Sequence, residues 1–171
     1  MHLRSLIFAG LMAALGALLQ TAPVWLGQPL GFALAVLACL PPAVSALQNL
    51  RAAVMGVAAA ALLCGLISPE EAWVFGLTNG PFGVALGYSA RAGYGLVRAV
   101  ILAAGVLLAG ILLLTWGLGF AALGSAVLAW GVPAAGAVFT LFALVWAFLF
   151  TGVVRLIWRR LLPAMRDDSQ G

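Results

Sequence analysis

Lysine is absent from this 171-residue chain, histidine occurs once, and acids and bases together make up only 7% of it. Each shortage excludes a chemistry. Without lysine there is no P-loop to hold nucleotide phosphates, so the chain cannot energise anything by ATP hydrolysis of that kind. With His2 as the one imidazole, neither a Ser-His dyad nor an H-E-x-x-H zinc site can be assembled inside the protein. Two cysteines, Cys39 and Cys64, both within apolar runs, do not make a disulfide framework; a thiol there behaves as a small buried hydrophobe. No enzymatic activity, cofactor or metal site is expected, and no nucleic-acid partner.

What remains is apolar. Hydrophobic residues are 65% of the chain and its mean hydropathy is +1.21, whereas soluble domains carry roughly 25% charged residues. An all-α, polytopic membrane bundle follows, with residues 1–171 forming a single integral membrane domain. A span needs about 20 residues to cross about 30 Å of hydrocarbon, and hydropathy places about six of them, near 5–23, 30–47, 52–67, 72–89, 96–118 and 133–155. The piece at 119–132 is apolar too, but Gly119, Gly124 and Gly131 argue against one more straight helix. "MHLR" followed by "SLIFAGLMAALGALL" has the outline of a signal peptide, yet lacks a good small-x-small cleavage site.

The basic residues are all arginine: 4, 51, 91, 98, 155, 159, 160 and 166. With six spans every one falls on the same side, which the positive-inside rule assigns to the cytoplasm together with both termini. Glu70 and Glu71 fall on the other side. Their pairing has the look of intramembrane CAAX-type proteases, but the arginine and histidine those enzymes use are missing; two solvated acids at a helix start, after Pro69, is the plainer reading. The Met-His opening is shared with cobalt and nickel capture proteins, which bring a second histidine and an external N-terminus. Here Arg4 makes His2 a cytoplasmic tail residue.

Small residues recur at helical spacing: Ala9, Ala13 and Ala17 in the first span, and Gly76, Gly80, Gly83 and Gly87 in the fourth. Such faces let helices approach closely. Together with "LPPAVSALQNLRAAVMGV" and "GPFGVALGYSARAGYGLVRAV", this order of features resembles the YybS-like bacterial membrane proteins, which are similar to the S components of energy-coupling factor (ECF) transporters. The resemblance covers roughly residues 5 to 115. It implies a six-helix substrate-capture subunit in the bacterial cytoplasmic membrane. That subunit would associate with an ECF transmembrane scaffold subunit, through the Ala9–Ala13–Ala17 face, and with cytoplasmic ATPase subunits. The glycine face of span four is read as packing within the bundle. MreD, the rod-shape protein, has a similar size and architecture, although its Arg-Pro-Asp element is absent here.

"TNGPFG" at 78–83 sets an amide and a helix breaker inside an apolar span. Pro81 cannot donate to the Leu77 carbonyl, so the helix is expected to break between Thr78 and Pro81. Discontinuous membrane helices are places where transporters bind ligands. Asn79 and Thr78 are therefore candidate ligand contacts, with the Asn79 amide facing a wet cavity and Pro81→Ala restoring the bond to Leu77; the equal alternative is a proline kink satisfied by neighbouring helices, with Asn79 bonding to backbone. Trp25, Trp73, Trp116 and Trp130 fall near outer ends, where the default reading is an interfacial belt. Trp25, Gln28 and Trp73 are candidate pocket walls for a flat ligand. Trp158, beside Arg155, Arg159 and Arg160, reads as an anchor at the anionic leaflet. Two functions stand: a substrate-binding subunit for a small water-soluble micronutrient such as a vitamin, or a non-transporting envelope scaffold of MreD-like or division- or sporulation-associated type.

Overall fold

The computed structural model describes residues 3–120 and 125–167, which are helical almost throughout and contain no strand. His2 lies outside the described residues. Helix α1 (Leu3–Gln20) is followed by a short α2 (Ala22–Leu26) and a turn at Gly27, φ 73°. The next span is α3 (Gln28–Ala35), a 3-10 turn (Val36–Cys39) and α4 (Leu40–Gln48). Pro41 and Pro42 sit at the start of α4 and supply no backbone N–H to the turn before them. That turn tightens from α to 3-10 geometry.

Asn49 separates α4 from α5 (Leu50–Ile67). Its backbone is extended, and its side-chain oxygen accepts from the Arg51 and Ala52 N–H groups at 3.0 and 3.2 Å, a side-chain N-cap. The span that follows consists of α6 (Pro69–Val74), a π turn (Phe75–Asn79) and α7 (Gly80–Arg91). Pro69 opens α6, and Glu70 and Glu71 occupy its first turn, where carboxylates complement the helix dipole. Then come α8 (Leu96–Leu112) with a second π turn (Leu113–Gly117), the one-turn α9 (Ser125–Leu128), and α10 (Val132–Asp167). Within the ambiguous stretch 119–132 the chain turns at Gly119 and Gly131, both with positive φ, on either side of α9. Residues 121–124, and so Gly124, lie outside the described residues.

Four helices are long and apolar enough to cross a membrane: Gln28–Gln48, Leu50–Ile67, Leu96–Gly117 and Val132–Arg160. The shorter apolar Ser5–Gln20 and the segment 69–91 pack among them. The protein is a membrane-embedded helix bundle whose lipid-facing side chains are leucine, isoleucine, valine, phenylalanine and methionine. Its centre is α4 against α7. A Cβ added at Gly83 would overlap the Cys39 carbonyl, and one at Gly87 the Ala43 carbonyl. The glycine face of span four is thus internal packing, because only hydrogen at those positions lets the two backbones touch. Helices α1 and α5 flank one side of this pair, and α8 and α10 the other.

The structure corrects the reading of Ala9, Ala13 and Ala17. All three are buried, against α4, α5 and the 3-10 turn: Ala13 and Ala17 in a cluster with Ala38, Ala60, Cys64 and Phe75, and Ala9 beside Gly56 of α5. The outward face of α1 is Leu6, Ile7, Leu11, Leu15 and Leu18. With bulky and small residues on opposite faces, the small face turns to the neighbouring helices and the leucines meet lipid.

One end of the bundle gathers the arginines. Arg51 opens α5, Arg91 closes α7 and Arg98 lies in the first turn of α8. Arg91 donates to the Gln48 carbonyl at 2.9 Å, Arg155 donates to the Tyr94 carbonyl, and the Arg98 guanidinium sits 5.5 Å from the Tyr94 ring centre. Trp158 is half-buried against the core there.

Candidate functional site

At the opposite end, Pro81 does not break the helix. The chain passes through the π turn with Asn79 and Gly80 both in right-handed helical conformation, and the Gly80 N–H bonds the Phe75 carbonyl, five residues back. The expected break between Thr78 and Pro81 is absorbed as one widened turn, which re-registers the bonds around the missing donor. Opposite the Leu77 carbonyl lies Gly110 of α8, where an added Cβ would overlap the oxygen.

The widened turn aims Asn79 into the bundle. Its Nδ2 donates to Gln20 Oε1 at 2.7 Å and to the Ala35 carbonyl at 3.4 Å, and Gln20 Nε2 donates in turn to Glu71 Oε2 at 2.6 Å. Asn79 therefore does not face a wet cavity alone, as the ligand-contact reading expects; it bonds the Ala35 backbone and belongs to a chain of three polar side chains from α1, α6 and the π turn. Gln20 is fully buried, while Glu71 and Asn79 are half-buried. Glu71, read from sequence as a solvated acid, instead closes this chain, and Glu70 stays exposed. Thr78 turns its hydroxyl back onto the Val74 carbonyl, as helix-buried threonines do.

These groups border a cavity of ≈ 250 Å³ that also touches Pro23, Phe32, Ala35, Val36, Phe142 and Trp146. Phe142 and Trp146 are stacked, 5.2 Å between centroids and 19° between planes. Of the residues singled out in the sequence, Asn79 and Thr78 lie on the cavity. Trp25, Gln28 and Trp73 are exposed and do not border it, and Trp116 and Trp130 are exposed as well. The sequence reading missed Gln20, Glu71, Phe142 and Trp146. For Gln20 there was a signal, a carboxamide ending an otherwise apolar helix; for the two aromatic residues, inside the last span, there was none.

A larger groove of ≈ 470 Å³ runs between α5, α7 and α8, bordered by Leu50, Val54, Val57, Pro81, Val84 and Tyr88 among others. It is almost wholly apolar and opens toward lipid, so it offers a solute no pattern of donors and acceptors. Among the described residues no group of three or more metal-ligating side chains comes together. In comparisons with known proteins, no family model, no curated protein and no solved structure matches the chain.

Proposed function

We propose that this protein captures a small water-soluble solute at the outer side of the bacterial cytoplasmic membrane, as an S-component-like subunit whose transport is energised by separate ATPase subunits. The observation that carries the reading is the chain Asn79–Gln20–Glu71 on the wall of the ≈ 250 Å³ cavity. Polar side chains inside membrane spans are expensive and mark ligand paths, and a cavity bounded by apolar walls with a few fixed polar groups is the common form of a small-molecule site. The volume suits a compact solute. The arginines at the far end support, through the positive-inside rule, an orientation with the cavity outside and both termini cytoplasmic.

The scaffold alternative rests on small-residue faces free to meet another protein. Ala9, Ala13, Ala17, Gly83 and Gly87 are all committed within the bundle, and no observation favours it. Contact with an ECF scaffold subunit would have to use the bulky lipid-facing surface instead.

The test is a thermal-stability screen of purified protein against vitamins and nucleobases. A bound solute at 100 times its Kd adds about 2.7 kcal/mol to the folded state, a readily measured rise in Tm. A screen with no stabilising solute, alongside stabilisation by an envelope protein, would reverse the order of the two readings.

A further inference from the structure

We propose that the cavity selects a compact cation, a ligand bearing a protonated amine or a positively charged aromatic ring; this rests on the solute-capture reading and narrows it. The inference comes from the direction of three hydrogen bonds. An ionised carboxylate and a backbone carbonyl can only accept. Glu71 therefore requires Gln20 to turn its NH2 group toward it, and the Ala35 carbonyl requires the same of Asn79. With its NH2 on Glu71, Gln20 presents its oxygen to Asn79, whose NH2 donates to it. The orientation of both amides is dictated by their partners.

Both bonds between the side chains thus donate toward Glu71, and the negative end of the array is the carboxylate. Glu71 accepts from Gln20, and among the described residues it meets no cation: the chain contains no lysine, and no described arginine borders the cavity. The acceptors left to a ligand include the second carboxylate oxygen of Glu71 and the Asn79 carbonyl oxygen. Stacked Phe142 and Trp146, with Phe32, supply aromatic surface on the same cavity, and aromatic rings attract cations most strongly where water is scarce. An anion would meet a carboxylate and a carbonyl oxygen with no positive group to offset them. A neutral solute would leave the carboxylate half-buried and uncompensated.

The experiment uses purified full-length protein in lipid nanodiscs and two isosteric series that differ in charge: 1-methylnicotinamide, nicotinamide and nicotinate; benzylamine, benzyl alcohol and benzoate. Tm is followed from micromolar to tens of millimolar at neutral pH. The cationic member of at least one series should bind ten-fold or more tightly than its neutral and anionic counterparts, and Glu71→Gln should erase that preference. Wild-type protein alone decides the charge preference, so the result does not depend on how well the variant folds. Trp146→Leu should weaken the cation several-fold and the neutral member less. Binding with no such ten-fold cation preference in either series overturns the cation proposal and leaves solute capture standing. A cation effect unchanged in Glu71→Gln overturns it as well, by placing the binding elsewhere. If neither series nor the vitamin and nucleobase screen moves Tm, solute capture falls and the cation proposal with it.

Discussion

At Asn79 one carboxamide serves two acceptors, Gln20 and Ala35, so replacing it has two separable consequences. Asn79→Leu removes a group bordering the cavity and strands the Gln20 oxygen in a site that is fully buried. An unpaired buried acceptor costs about 1–3 kcal/mol, so the variant should melt lower than wild type as well as lose solute-induced stabilisation. Urea or thermal unfolding of the empty protein reads the first effect, and a ligand titration the second. A variant with wild-type stability would mean that the Gln20 oxygen is rescued by water. Asn79 and Thr78 were legible in the sequence because a proline and two glycines in an apolar run are a local signal. Gln20 left a signal, a carboxamide ending an apolar helix, but its pairing with Glu71 was not legible, because that contact joins residues 51 apart and depends on how α1 and α6 meet.

Between Phe75 and Gly87, two backbone features answer to different forces. Pro81→Ala returns an N–H to the helix, worth about 0.5–1.5 kcal/mol, but frees the unfolded chain by about 0.4–1 kcal/mol. These nearly cancel, so its stability should lie within about 1 kcal/mol of wild type. Gly110→Ala gains about 0.4–1 kcal/mol from a less free unfolded chain, but that is smaller than what its contact costs. Its new methyl group would overlap the Leu77 carbonyl oxygen, and overpacking of this kind costs about 1–3 kcal/mol or more. Paired unfolding curves should therefore place Gly110→Ala well below Pro81→Ala; the reverse order would show that α8 can slide away from the π turn. Most helix boundaries were readable from hydropathy and from Pro69, Asn49 and the arginines, but not the end of α10, which runs to Asp167 rather than stopping near 155. The π turn was not, since a missing proline N–H predicts that the regular pattern must fail without saying whether the chain breaks or widens. The alanine face of α1 was legible as a close-packing surface, but which helix it met depended on where the leucines of the same helix pointed.

Taken whole, the molecule is polarised: arginines at one end, a carboxylate-terminated cavity at the other. Topology turns that into a labelling experiment. Cys39 and Cys64 are buried, so new cysteines at exposed positions report alone. A membrane-impermeant maleimide should label Glu70→Cys in intact cells and Ala92→Cys only after permeabilisation. Labelling of Ala92→Cys in intact cells would invert the protein and turn the cavity toward the cytoplasm. The glycines at which α7 meets Cys39 and Ala43, and α8 meets Leu77, also have an evolutionary consequence. Loops and lipid-facing leucines can drift freely, but positions 83, 87 and 110 admit no side chain while those backbones remain in contact. Descendants of a common ancestor should therefore still carry this three-glycine signature after the rest of the sequence has diverged, and two chains that share it, with Gln20 and Glu71, could be recognised as kin by those positions alone.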